Sequence, residues 1–400
     1  MPALFAPPDH ELPGANAPAT SDDAISIGLH PGAGQFPAQQ WDALTDPDGG
    51  FYTSHRWIRS LELVHGAQPV FAAAEGRLRG VLPTWTSAGS DTSGLFSLPE
   101  MTRGLIAAPS RQVLWLGPRR ATANTITCER GATRTRTLAA LMETARRFAA
   151  DQHLAGAVWP YLSGGQALEA AACHPLAQAA LHTADTAVTV PQDGMRGIEG
   201  AARSKDRRQW RRERSLFARS ASVEWTPLTA EIATRIAPLL AATRDKYGTT
   251  GGTSLMLRTL TAQLASGVAR QAAVALARTR DDDTIRAAAV FYRHGTTLYG
   301  RYWGTDGKAP PYSYFALTFY EAVDWAAHHG LRRLHLSVPA TAAKRSRGAH
   351  TTPLALVYLP AAPEARIDAR VLRQHNRRTA QEWNPDADSE AWTRWTSRGI

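Results

Sequence analysis

Cysteine is nearly absent from this chain. Cys128 and Cys173 are the only two in 400 residues, too few for a disulfide framework or a zinc site, so a reducing compartment is the expected setting. Lysine is almost as scarce. Of 45 basic residues only Lys205, Lys246, Lys308 and Lys344 are lysine, and each stands where arginine was available and was not used. No apolar run approaches the ~20 residues of a membrane span. The opening MPALFAPPDHELPGANAPATSDD lacks the basic start and apolar centre of a signal peptide; it reads as a disordered leader over residues 1–23, and a cytoplasmic protein is expected. No His/Cys/Asp cluster has metal-ligand spacing, and neither a Gly-x-Ser-x-Gly elbow nor a Walker loop occurs. Neither a metal nor a resident cofactor is expected.

What is present describes a soluble globular protein, 44% hydrophobic and 20% charged, with a formal charge of +10 that would attract polyanions. Four hundred residues are too many for one ordinary core and imply two domains. The second half is the easier to read. A strand at 222–228 is followed by helices at 229–247 and 254–268, and then by three strands, QAAVALART, RAAAVFYRHG and TTLYGRYWG, joined by short turns. A helix from Tyr312 to His329 has Phe315, Phe319, Val323 and Ala326 at helical spacing, and LRRLHLSV closes the set as a strand. The first half repeats this order: a strand at AISIGLH, helices at 38–44 and 54–65, three strands, a helix at 135–152 and the strand AGAVWPYL. The expected class is α/β (α+β) with two tandem domains of one type, at 24–195 and 222–362, each a mixed, mainly antiparallel sheet flanked by helices. A basic connecting helix at 196–221 and a basic, Trp-containing arm at 363–400 complete the chain.

Two stretches suggest chemistry. In LYGRYWG (298–304), strand alternation puts Tyr299, Arg301 and Trp303 on one face and Leu298, Gly300 and Tyr302 on the other. An arginine between aromatic side chains suits an anionic or carbonyl-bearing ligand, although an ion-paired strand arginine among core aromatics would give the same pattern. Between the halves, SKDRRQWRRER carries Lys205, Arg207, Arg208, Arg211, Arg212 and Arg214. As a helix it places Arg207, Arg211 and Arg214 on one side, with Arg208 and Arg212 on an adjacent row. It is either a solvated connector or a phosphate-contacting surface.

The order strand, helix, helix, three strands, helix, strand resembles the GNAT acyltransferase fold in tandem. YGRYWG, PYSYFALTFYEAVDWAAHHGLRRL and KRSRG, together with SKDRRQWRRER, FYTSHRWIRSLE and GVLPTWT, are similar to the Fem-like family of peptidoglycan biosynthesis or recognition proteins. The chain departs from that pattern at two places. Tyr314, Phe315 and Ala316 stand where the family has His-Phe-Glu, and Ala342 and Ala343 where it has Glu-His, so two acid–base candidates are missing. The resemblance implies transfer of an aminoacyl group, with aminoacyl-tRNA as co-substrate, to an amine of a small-molecule or peptidic acceptor from natural-product or cell-wall chemistry. tRNA would be a partner, and the protein a monomer or dimer. In such a reaction Lys344 would stabilise the oxyanion or leaving oxygen, with Arg301 beside it as a second catalytic cation. Arg301 and Arg347 would hold phosphate or carboxylate. Tyr299, Trp303 and Tyr312 would wall the acyl group, Lys246 would reach the acceptor, and the six basic residues of 205–214 would meet tRNA. An acyl-CoA donor is the alternative, for which Arg345-Ser-Arg-Gly348 fits only the first half of the usual pyrophosphate loop. A second alternative is an inactive RNA- or cell-wall-binding protein of the same fold.

Overall fold

In the computed structural model the described residues are 25–86, 94–106, 112–246, 251–338, 341–383 and 390–396; the expected leader lies outside them. The first half runs β1 (Ser26–His30), α1 (Ala38–Asp42), α2 (His55–His65), β2 (Val70–Glu75), β3 (Arg77–Trp85), α3 (Leu98–Met101), β4 (Leu114–Leu116), α4 (Arg134–Asp151), β5 (Gly156–Ser163), α5 (Gly164–Cys173) and β6 (Gln178–Thr189). Helices α6 (Met195–Ala201) and α7 (Ser204–Ser220) lead to β7 (Ala221–Thr226), α8 (Ala230–Lys246), α9 (Gly252–Ala265), β8 (Ala272–Thr279), β9 (Ile285–His294) and β10 (Thr297–Thr305). Then come α10 (Ser313–Phe315), a π-helical turn (Ala316–Tyr320), α11 (Glu321–His328), β11 (Arg333–His335), α12 (Thr341–Arg345), β12 (His350–Pro360), α13 (Ala369–Trp383) and α14 (Glu390–Thr396).

The strands form one sheet in the order β1-β2-β3-β4-β5-β12-β6-β11-β10-β9-β8-β7. Helices cover both its faces, so central strands such as AVWPYL in β5 and AAAVFY in β9 are buried on both sides and read as continuous apolar runs. Helix α4 shows the complementary pattern: Leu138, Leu141, Met142, Ala145 and Ala149 recur every three or four residues and are buried.

The sheet does not divide at the expected domain limits. β6, from the first half, pairs with β11 of the second, while β12 crosses back to pair with both β5 and β6. The aromatic core is shared in the same way: Phe51 of the first half stacks on Tyr292 and Tyr299 of the second, at 5.0 and 5.1 Å between ring centres. The C-terminal arm returns to the first half and buries Trp392 and Trp395 there.

Three local departures have plain causes. The expected connecting helix is broken at Ala202 and Arg203, whose extended backbone separates α6 from α7. The expected helix at 312–329 begins at Ser313, because Tyr312 has a left-handed φ of 63°, and it carries a π turn that shifts its face by part of a turn. Strands β6 and β12 add to the expected order; in β6, His182, Asp185 and several threonines interrupt the apolar pattern.

Candidate active site

β10 and β11 are parallel neighbours over three residue pairs, ending at Tyr299 opposite His335. β11 then stops, β10 continues to Thr305, and a wedge opens between them. Two backbone features widen it. The β10–β9 register breaks between Gly300 and Tyr302, a bulge centred on Arg301, and Ser337 turns the chain with φ 61° into the approach to α12. A cavity of about 260 Å³ occupies the wedge. Gly300, Arg301 and Trp303 line it from β10, Ser337 from beyond β11, Tyr314 from the helix, and Lys344 from α12.

The bulge corrects the expected faces of LYGRYWG. Tyr299 and Tyr302 share one side of the sheet, packed with Tyr52 and Tyr292, while Leu298 and Trp303 lie on the other. One extra residue in the strand inverts the alternation beyond Arg301. Trp303 therefore reaches the wedge, edge-on to Tyr314 at 5.4 Å, whereas Tyr299 is buried on the opposite side and donates its hydroxyl to the Asp48 carbonyl at 2.5 Å.

Lys344 is only 3% exposed. Its Nζ donates to the carbonyl oxygens of Leu336 at 2.5 Å and Ser337 at 3.2 Å. Burial pulls its pKa from 10.5 down to about 8, against the favourable field of Asp185. Two of the ammonium protons are thereby committed to backbone oxygens at the end of β11, and one remains for the cavity. The Arg301 guanidinium is held by aromatic faces, 5.3 Å from the rings of Tyr52 and Tyr302 and 5.4 Å from that of Trp57. Among the described residues it forms no ion pair. The neighbourhood is cationic. Burial lowers the pKa of Arg244, and Arg301 and Arg120 lower it further, against Tyr302 and Asp245.

The other expected site residues lie elsewhere. Arg347 is 5% exposed and turned into the core. Its Nη2 donates to both Glu213 oxygens at 2.7 and 2.9 Å, its Nε to the Tyr320 hydroxyl at 3.0 Å, and its Cζ rests 3.3 Å from the centre of the Phe315 ring. It is a buried anchor, not a ligand contact. Lys246 ends α8 on the surface, and Tyr312 is 41% exposed; neither lines the wedge cavity, and Tyr314 takes the place expected of Tyr312.

Acids on neighbouring helices divide the arginines of the basic helix α7. Arg211 and Arg214 pair with Glu199, Arg214 also with Asp324, and Arg207 donates to the Glu199 carbonyl. Lys205, Arg208 and Arg212 are exposed, and among the described residues none forms an ion pair with them.

The sequence reading missed one pair. Asp185 on β6 and His335 on β11 are both buried, with His335 Nε2 2.8 Å from Asp185 Oδ1, and Arg333 Nη2 donates to Asp185 Oδ2 at 3.0 Å. The two residues line a cavity of about 790 Å³ between the halves. Alternation in LRRLHLSV, with Leu334 and Leu336 inward, was the signal that His335 faces the other way. In the first half, the equivalent wedge after the parallel pair β4–β5 is closed. Asn124 fills it, its backbone N–H donating to the Tyr161 carbonyl at 2.8 Å and its Nδ2 to that of Pro160 at 2.7 Å. Among the described residues, only the second-half wedge is open between its parallel strands.

A FemAB-like family described as peptidoglycan biosynthesis and recognition matches residues 119–387, more than half of the chain. Among solved structures, FemX is similar at 11% identity and a TM-score of 0.54, over 80% of this chain and 96% of its own. The C-terminal domain of a putative lysylphosphatidylglycerol synthetase from Agrobacterium fabrum is similar at 11% identity and 0.53, over 82% and 93%. A tandem GNAT protein from the clavulanic acid biosynthesis pathway has 14% identity and a TM-score of 0.47, over 84% and 99%. No curated protein is significantly similar in sequence. No helix among the described residues is long and apolar enough to cross a membrane. The fold is mixed α/β, with a large, mostly antiparallel sheet flanked by helices, and the chain belongs to the FemAB-like family of peptidoglycan biosynthesis and recognition proteins.

Proposed function

We propose that this protein is an acyltransferase that forms an amide bond, moving an aminoacyl group from aminoacyl-tRNA to the amine of a small-molecule or peptidic acceptor. Family membership supports an aminoacyl or acyl transferase. The observation that carries the finer reading is the buried ammonium of Lys344 at the tip of the only open wedge among the described residues, beside Arg301. Aminolysis of an ester passes through a tetrahedral oxyanion, and preorganised donors aimed at that oxygen supply much of the rate. In the wedge, the free proton of Lys344 meets the oxyanion or the departing ribose oxygen. With its pKa near 8, the group is charged at neutral pH yet acidic enough to give up its proton. Arg301 adds a second cation whose orientation is fixed by three rings before substrate arrives. Trp303 and Tyr314 form the apolar wall for the acyl side chain.

The tRNA donor is supported by the outward face of α7, where Lys205, Arg208 and Arg212 are available to phosphates. The CoA alternative is the weaker because Arg345 to Gly348 matches only the first half of the usual pyrophosphate loop. The test is mass spectrometry of products after the protein is supplied with charged total tRNA and cell extract, in parallel with acyl-CoA and the same extract. A new amide from the tRNA arm alone is expected. Product at normal rate from acyl-CoA without tRNA would move the assignment to a CoA-dependent N-acyltransferase, and tRNA binding without product from either donor would favour a binding protein.

A further inference from the structure

His335 is 1% exposed, and neither ring nitrogen has an aligned hydrogen bond among the described residues. Its Nε2 comes within 2.8 Å of Asp185 Oδ1, yet Oδ1 too lacks an aligned partner. His335 Nδ1 has no partner at all among the described residues, and a buried nitrogen in that state costs about 1–3 kcal/mol and is rare enough to require a reason. The His335–Asp185 pair stands at the wall of the largest cavity described, about 790 Å³. The cavity is chemically suited to an amine: Asp46, Asp48 and Asp185 line it, and hydrogen bonds from Thr296 keep Asp48 ionised. It is also suitably placed. Tyr299 and His335 face it, while Gly300 and Leu336, the residue after each, line the Lys344 wedge.

We propose that Asp185 and His335 form the general base for the acceptor, which enters the 790 Å³ cavity as an ammonium and meets the acyl donor across the β10–β11 seam. This rests on the transferase reading above. His335 accepts a proton from the ammonium, and Asp185 steadies the resulting imidazolium. The freed amine forms its N–C bond at the ester carbonyl, and the ester C–O bond breaks. The leaving ribose oxygen takes a proton from Lys344, which recovers one from the amide nitrogen as the intermediate collapses; His335 releases the first proton to water. The groups facing the ring are Asp185 from β6, Arg333 from β11, Tyr299 from β10 and Tyr52 ahead of α2, with Asp48 and His350 across the cavity. Of these, only Asp185 touches a ring nitrogen.

The test uses the full chain, charged total tRNA and two probe amines of similar size: n-propylamine, protonated at neutral pH, and methoxyamine, which is not. Rates are corrected for the uncatalysed reaction. His335→Asn is expected to slow transfer to n-propylamine on the order of 10²-fold while leaving methoxyamine within about two-fold. Asp185→Asn should act in the same direction, and it carries the comparison if His335→Asn does not fold. Equal losses on both amines, or no loss on either, would overturn the base. Wild-type protein that transfers to neither probe would overturn the transferase reading itself, and the base with it.

Discussion

Arg347 and Glu213 stand 134 positions apart, and their side chains meet in two hydrogen bonds of 2.7 and 2.9 Å. The same guanidinium donates to the Ala343 carbonyl, one residue before Lys344. A buried ion pair thus ties α7 to the helix that carries the proposed catalytic lysine. Glu213 also accepts from Tyr320, which fixes the π turn behind the wedge.

Removing one partner of such a pair strands a buried charge. Glu213→Ala is expected to lower unfolding stability by about 3–5 kcal/mol, measured by urea denaturation. A loss under 1 kcal/mol would show that the pair does not organise this region.

The depressed pKa of Lys344 sets a direction for activity. The ammonium is the working form, so turnover should fall as pH rises through about 8. In Lys344→Arg the charge persists to higher pH, and that alkaline limb should vanish whatever the residual rate. A pH profile of kcat for both proteins checks this, and an unchanged limb in the arginine variant assigns it to another group.

The same shift has a consequence for stability. The unfolded lysine holds its proton up to about 10.5 and the folded one only to about 8, so burying the charge costs about 3 kcal/mol below pH 8. Between those values the unfolded state binds more protons, and the cost fades as pH rises. Relative to Lys344→Met, the wild type should therefore gain about 3 kcal/mol from pH 7 to pH 10.5. Parallel stability curves for the two proteins would contradict the burial of a charged Lys344.

On α7, the exposed and the ion-paired arginines should behave differently. Arg208→Glu with Arg212→Glu is expected to weaken tRNA binding without regard to tRNA sequence, and to flatten the log Kd against log salt slope by about 1–2. Arg214→Ala should leave that slope alone and lower stability, because Asp324 loses its cation and Glu199 keeps only Arg211. Filter binding across a salt series separates the two outcomes.

Gly304 lets α8 lie against β10. A Cβ at this position would fall 2.4 Å from the backbone of Leu239 and Leu240. Gly304→Ala is expected to destabilise the protein by about 1–3 kcal/mol through overpacking, visible as a lower Tm.

Much of this was legible in the sequence, and what was not depends on contacts between segments distant in the chain. Element order could be read because amphipathic helices such as α4 and apolar strands such as β9 announce themselves. Lys344 and Arg301, expected beside each other, both line the wedge cavity. The bulge at Arg301 was not legible: it depends on how β9 and β10 register, and no residue in YGRYWG demands it. Arg347 was misread because Glu213, the acid that captures it, lies far off in a run of arginines whose net sign hid it. Asp185 was invisible for a topological reason, since strand β6 reaches His335 only because the two halves interleave.

The most direct measurement is the rate of amide product formation from charged total tRNA, followed by mass spectrometry for the wild type beside Lys344→Met. The expected result is a loss on the order of 10²–10³-fold in the variant, with tRNA affinity and thermal stability retained. Equal rates in the two proteins would contradict the claim that the buried ammonium at the β10–β11 wedge carries the chemistry.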